Sequence, residues 1–201
     1  MEEPARMSLS LSGVGKASGG CYKDVNIEGV GTVEGDIECD SCMMKGVATI
    51  HGSIHAKTVH VEGKTSIRGN LACETLLLLG QIKIDGKCEA ETFTGTGSYT
   101  VTDLLNAGEI HVKTQGLSKV GEIGAESIRI EKEPGRTLFS RWKTLSVETI
   151  EGDDIYLENT RASVVRGRNV VIGKGCDVDL VEYETLFQKH DGSIVRKQSK
   201  R

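Results

Sequence analysis

Aromatic residues and proline are scarce in this chain of 201 residues, in which aromatics make up 4% and proline occurs twice. Such a composition is unusual for a globular enzyme, whose core normally contains several large aromatic side chains. Glycine, in contrast, is frequent, with 25 residues. A chain rich in glycine and poor in proline and aromatics is typical of a tightly wound repeat.

Long apolar segments are also missing. The longest run is Leu76 to Leu79, far short of the ~20 residues that a membrane helix needs. The acidic start of the chain, Met1 to Pro4, lacks the apolar region of a secretory signal. We therefore expect a cytoplasmic protein in which the six cysteines are reduced thiols.

The charge is unevenly distributed along the chain. The formal net charge is -4, which gives no reason to expect nucleic acid as a partner. Residues 189–201 nevertheless carry five basic residues and one acid. We expect a basic C-terminal tail over residues 185–201, which leaves contact with the inner face of the membrane open. A second, disordered tail is expected over residues 1–20, where serine and glycine are frequent from residue 8.

A single repeat, with a fixed step between equivalent residues, dominates the rest of the sequence. Two rows of glycines follow it: Gly29, Gly46, Gly63, Gly80 and Gly97, and Gly35, Gly52, Gly69 and Gly86. Apolar rows keep the same step: Val33, Ile50, Ile67, Ile84 and Val101, and Ile37, Ile54, Leu71, Cys88 and Leu105. Between the glycines, apolar and polar residues alternate, which indicates short half-buried strands. The pattern predicts an all-β solenoid with coils of about 17 residues stacked ~4.8 Å apart.

The repeat is expected to be regular over residues 21–131. Gly86 and Gly121 are separated by two periods plus one residue, which predicts a bulge in between. Residues 132–146 break the pattern and include Trp142. They are interpreted as an inserted loop or short helix on the flank of the solenoid, or as an element that contacts a membrane surface or a partner. Residues 147–184 are predicted to form irregular terminal coils.

The serine- and glycine-rich lead and repeats such as Val30 to Ile37 and Thr65 to Leu71 resemble the bactofilins, the polymer-forming cytoskeletal proteins of bacteria. The resemblance covers about Tyr22 to Glu131. It implies a right-handed parallel β-helix that assembles into filaments without nucleotide and acts as a scaffold in cell shape or in positioning other machinery. It also implies that the partners are further copies of the chain, a paralogous bactofilin and client proteins.

The ends of such a stack expose unpaired strand edges, which favour self-association. Pairing at both ends gives a filament, and pairing at the N-terminal end alone gives a dimer. Three candidate contacts are predicted: an N-terminal coil with Val25, Ile27, Val33 and Ile37; a C-terminal end with Val170, Ile172, Val178, Val181 and Tyr183; and a lateral patch with Met43, Leu77, Leu79 and Trp142.

Residues capable of catalysis are interpreted as structural. Cys39 and Cys42 form a C-x-x-C motif, but both cysteines occupy apolar rows, which favours core packing over a metal or redox site. We expect no metal or other cofactor and no enzymatic activity. Two alternatives stay open, a monomeric adaptor and an acyltransferase of the hexapeptide type, which the residues from Val171 to Val178 resemble.

Overall fold

The computed structural model describes residues 6–133 and 145–201. Over those residues the chain is a parallel β-solenoid of about 11 turns, and the fold predicted from the repeat is confirmed. Its strands form one sheet in sequence order. They are β1 (Leu9–Cys21), β2 (Asp24–Ile50), β3 (Ile54–Ile67), β4 (Leu71–Ile84), β5 (Cys88–Thr114), β6 (Ser118–Lys132), β7 (Leu145–Leu157), β8 (Thr160–Ile172), β9 (Asp177–Lys189) and β10 (Ile194–Lys200).

Equivalent residues of successive repeats lie in adjacent coils. Ile50 pairs with Ile67, and Ile67 pairs with Ile84. The backbone N–H of His51 donates to the carbonyl of Val33 at 2.9 Å, which places Val33 next to Ile50 in the same column. All four aliphatic side chains of this column are fully buried. The sequence repeats because each coil needs an apolar residue at the position that faces the solenoid interior.

One corner of the coil is built from glycines because the coils approach each other too closely there for a side chain. Gly29, Gly46, Gly63 and Gly80 all have positive φ angles, between 102° and 148°, which L side chains rarely adopt. A Cβ atom at Gly63 would overlap the carbonyl oxygen of Gly46 and lie 2.8 Å from its nitrogen. The glycine row is therefore a steric requirement of the stack.

A second corner is held by side chains that accept hydrogen bonds from the following coil. The Asp36 carboxylate accepts from the N–H of Ser53 at 2.7 Å, and the Ser53 hydroxyl accepts from the N–H of Asn70 at 3.1 Å. The Asn70 side chain in turn accepts from the N–H of Lys87 at 2.9 Å. Each coil thus satisfies corner N–H groups that strand pairing leaves without a partner.

The coil length varies, yet the columns continue. Leu105 pairs with Ile123 after a register shift between Val101 and Leu104. This step is longer by a single residue than the step from Leu71 to its partner Cys88, which confirms the predicted bulge. Ile128 pairs with Ile155, so the column resumes after the segment that separates β6 from β7. The predicted insertion at 132–146 lies largely in residues 134–144, outside the described residues, and Trp142 lies there too.

The structure corrects the two predicted tails. Disorder is the expectation for the segment 1–20, but β1 begins at Leu9, and Leu9 pairs with Val25. The basic segment 185–201 contains the end of β9 and all of β10, in which Val195 pairs with Val178. Both segments form coils because each can place a few apolar side chains on the coil beneath it.

Candidate assembly surfaces

The N-terminal end of the stack is the coil that contains β1. This strand is the first in the sheet, so among the described residues no strand pairs with its outer edge. Leu9, Leu11 and Ala17 are partly buried and pack against the core beneath them. An unpaired strand edge beside apolar side chains is prone to pair with another chain.

The four residues predicted to form the N-terminal contact lie one coil inside this end. Their side chains are at most 1% exposed, because β1 covers them. The pairs are Leu9 with Val25, Leu11 with Ile27, Ala17 with Val33 and Gly20 with Ile37. The sequence did contain a sign of the extra coil, since Gly13 continues the glycine row below Gly29, although its step is shorter by a single residue than the step from Gly29 to Gly46.

The C-terminal end of the stack is the coil formed by the last residues of β9 and by β10, the last strand of the sheet. It likewise covers the residues predicted to form a C-terminal contact. Val170, Ile172, Val178 and Val181 are fully buried, and Tyr183 is partly buried. In the same order their partners in the final coil are Phe187, Lys189, Val195, Gln198 and Lys200.

Ion pairs fasten the final coil to the one beneath it. The Arg196 guanidinium donates to the carboxylate of Asp177 and lies 2.9 Å from that of Asp179. The hydrogen bond from Arg196 lowers the pKa of Asp177 below its ordinary value. Arg201 lies 2.9 Å from the carboxylate of Glu182. These contacts attach a strand that has few apolar side chains of its own.

The Asp177 contact predicts a measurable change in titration. Because its folded pKa is lowered, Asp177 contributes stability that is present above the unfolded value and is lost as the pH falls through the folded value. Replacing Arg196 by alanine should raise the pKa of Asp177, as followed by carboxyl NMR signals between about pH 2 and 6. Lys197→Ala should leave it unchanged, and an unchanged pKa in Arg196→Ala would contradict the contact.

The predicted lateral patch is partly assembled by the structure. Met43 and Leu77 lie in one outward row on either side of His60, with which both pair. Both side chains are partly buried, and Leu79 is 45% exposed. The Nε2 atom of His60 is buried and has no hydrogen-bond partner. A partner at this row stays a prediction, and Trp142 lies outside the described residues.

An exposed valine ridge, which the sequence interpretation missed, lies near the N-terminal end. Val14 is 87% exposed and pairs with Val30, which is 49% exposed. Val47, at the equivalent position of the next coil, is 44% exposed. The ridge extends the apolar surface of the β1 coil along the flank of the solenoid.

The cysteines lie mainly in the core, as their place in the apolar rows predicts. Cys39, Cys42 and Cys88 are buried, and burial raises the pKa of Cys73 to about 12. A thiol with a raised pKa is a poor nucleophile at neutral pH. A hydrogen bond between the Cys39 and Cys42 thiols lowers the pKa of Cys39 and raises that of Cys42. In the described part of the chain, no three His, Cys, Asp or Glu residues are grouped so that they could hold a metal.

An open groove of about 790 Å³ runs along the small side chains that include Cys39, Ala56 and Cys73. Its walls carry two ion pairs, Arg6 with Glu38 at 3.2 Å and Lys57 with Asp40 at 2.7 Å. Small-molecule sites are usually enclosed and mainly apolar. This groove is open to water and has charged walls, so its geometry does not favour the acyltransferase alternative.

Comparison with known proteins agrees with the solenoid. Residues 11–102 match the family model Bactofilin, described as polymer-forming cytoskeletal. The chain is 41% identical over 99 residues to the uncharacterized protein YhbF of Bacillus subtilis, and the aligned region covers 48% of this chain and 41% of YhbF. It is 38% identical over 87 residues to the uncharacterized protein YhbE of the same organism, and the aligned region covers 41% of this chain and 37% of YhbE. The matched region is thus about two fifths of each relative's length.

No solved structure matches the chain significantly. Within residues 6–133 and 145–201, no helix is long and apolar enough to cross a bilayer.

Proposed function

Since this chain belongs to the bactofilin family through residues 11–102, we propose that it is a structural subunit of a cytoplasmic scaffold whose copies join end to end without nucleotide. The family is described as polymer-forming and cytoskeletal. The physiological role of such a scaffold is to organise cell shape or to position other proteins. Client proteins and a paralogous bactofilin are the further partners.

The observation that supports this function best is the N-terminal end of the stack. The outer edge of β1 pairs with no strand of the described chain, and Leu9, Leu11 and Ala17 are only partly buried by the coil beneath them. The β1 edges of two copies would satisfy each other's backbone groups and cover these side chains. The same surface lies on both subunits, so the contact closes with two-fold symmetry.

A charge in this contact should break the assembly. Leu11→Glu places a carboxylate at the end of the core, where pairing would bury it without a partner. We expect self-association of the full chain to weaken at least about tenfold, since the loss of about 1.4 kcal/mol already has that effect. Light scattering behind a sizing column measures the mass, and circular dichroism checks that the β structure remains.

Leu79→Glu is the matched control, because Leu79 is an exposed leucine on the flank. It should leave the assembly unchanged. If Leu79→Glu dissociates the assembly and Leu11→Glu does not, the contact lies on the lateral patch. If the unaltered chain remains a monomer at micromolar concentration, the adaptor alternative holds.

A further inference from the structure

The open groove continues along the solenoid beyond the section described above. Asn106 lines both that section and a second one of about 640 Å³, which also runs along Ala125 and Gly152. The groove is open to water, and charged side chains line both sections. Small-molecule sites are usually enclosed and mainly apolar, so this geometry suits the charged surface of another macromolecule.

One part of the groove is an acidic patch, which consists of Glu74, Glu89 and Glu91. All three side chains line the groove and are exposed, and none of them forms an ion pair within the described residues. Glu74 lies beside Glu91 because Cys73 pairs with Ala90. Like charges in neighbouring strands repel each other, so cations supplied by another molecule would stabilise this patch.

A basic patch of Lys64, Arg68 and Lys83 lies on the neighbouring side of the same coils. Its three side chains are exposed. Lys83 contacts Asp85 at 2.6 Å, whereas Lys64 and Arg68 form no ion pair in the described part of the chain. Lys87 lies at the corner that separates this patch from the acidic one. The basic patch therefore carries an excess of positive charge.

The two patches lie at the same height in the stack. Residues 59–75 form one coil and residues 76–92 form the next, since Val59 pairs with Leu76 and Leu76 pairs with Phe93. Each of these coils contributes to both patches, on different sides of the solenoid. Two copies that lie side by side with their coils level can therefore bring the basic patch of one copy to the acidic patch of the other.

We propose that the acidic patch binds the basic patch of a second copy of this chain, so that filaments associate side by side. This inference rests on the proposed function, because a few charge pairs in contact with water contribute little to the association of two single chains. End-to-end association repeats the contact along both filaments, and the repeated contacts act together. The two patches are different surfaces, so a copy bound through one patch still offers the other to a further filament.

Salt should separate the filaments without shortening them. The distance over which charges interact is about 10 Å at about 0.1 M salt and about 3 Å at about 1 M. The end contact through Leu9 and Leu11 is apolar and is not screened by ions. Bundles of the unaltered full chain at about 0.1 M sodium chloride should therefore become single filaments at about 1 M. Negative-stain electron microscopy and low-speed sedimentation, which pellets bundles and leaves single filaments in solution, measure the change.

Charge reversal tests the two surfaces separately. The acid-reversed variant makes both patches basic through Glu74→Lys, Glu89→Lys and Glu91→Lys. The base-reversed variant makes both patches acidic through Lys64→Glu, Arg68→Glu and Lys83→Glu. Each variant alone should form single filaments at about 0.1 M salt and lose the low-speed pellet. Mixing the preformed filaments of the two variants in equal amounts should restore bundles, because opposite charges then meet.

The control variant reverses three exposed glutamates that lie outside both patches, Glu28→Lys, Glu62→Lys and Glu109→Lys. It changes the net charge by the same amount as the acid-reversed variant. Because both patches stay unaltered, its filaments should bundle like those of the unaltered chain.

Three results would overturn the side-by-side contact and leave the proposed function intact: single filaments of the unaltered chain at about 0.1 M salt, bundles of either charge-reversed variant alone, or a mixture of the two that stays unbundled. Loss of bundles in the control as well would assign the effect to net charge and overturn the two patches. If the unaltered chain forms no filaments at either salt concentration, the proposed function fails, and the side-by-side contact fails with it.

Discussion

Replacing Gly63 by alanine should destabilise the solenoid strongly. The φ angle of Gly63 is 126°, and a non-glycine residue in such a conformation costs about 1–3 kcal/mol. The added Cβ atom would also overlap the backbone of Gly46 in the neighbouring coil. We take the strain and the overlap together as at least about 3 kcal/mol, the upper end of that range. Since about 1 kcal/mol lowers the midpoint of a domain of this size by roughly 2–4 °C, the melting temperature should fall by about 6–12 °C or more.

Gly192→Ala is the matched control for this substitution. Gly192 lies in the turn before β10, and the nearest atom to an added Cβ atom is a ring nitrogen of His190 at 3.6 Å. The melting temperature of this variant should stay within about 2 °C of the unaltered chain, because substitutions that meet no obstacle change stability by less than about 0.5 kcal/mol. Equal melting temperatures for the two variants would show that the glycine column is not a steric requirement.

Replacing Ile67 by aspartate should have a comparable or larger effect. Ile67 is fully buried between Ile50 and Ile84. A carboxylate there would lie in the apolar column with no cation to pair with it. A buried charge without a partner costs about 3–5 kcal/mol. We expect loss of the cooperative transition in urea, or a midpoint lowered in proportion to that cost.

Ser66→Asp provides the comparison in the same strand. Ser66 points outward and pairs with Thr49 and Lys83 in the neighbouring coils. A carboxylate at this position stays in contact with water and lies next to a lysine, so the urea midpoint should change little. If both aspartate variants unfold at the same urea concentration as the unaltered chain, Ile67 cannot lie in the interior.

The columns could be predicted from the sequence because their cause is repeated in every coil. The side chains of Ile50, Ile67 and Ile84 occupy the same place in successive turns, and each is selected by the same burial. The glycine row could be predicted for the same reason, because the coils approach each other closely at the same corner of every repeat. The bulge could also be predicted, because it shifts the step between matched residues without changing their character.

The two end coils could not be predicted in the same way. An end coil has one neighbour, so it needs fewer apolar residues and tolerates polar ones. Strand β10 has few apolar residues, and Val195 is the one that packs on the core. In β1 the apolar residues Leu9 and Leu11 lie among serines and glycines, a composition that also suits a disordered tail.

The residues predicted for the two end contacts lie one coil inside the ends of the stack for the same reason. Val25 and Ile27 have the apolar character of an interface, but that character comes from the coil that covers them. The residues predicted for the N-terminal contact belong to the coil beneath the terminal one. The place of Lys189 over Ile172, at the end of a buried column, is recognisable only when that column is known.

Negative-stain electron microscopy of the purified full chain without nucleotide tests the central claim most directly. A stack of about 11 turns spaced ~4.8 Å apart is roughly 50 Å long. End-to-end association that includes the β1 contact predicts straight rods at least about twice as long as that. Particles no longer than a single solenoid at micromolar concentration would contradict the claim that the ends of the solenoid join.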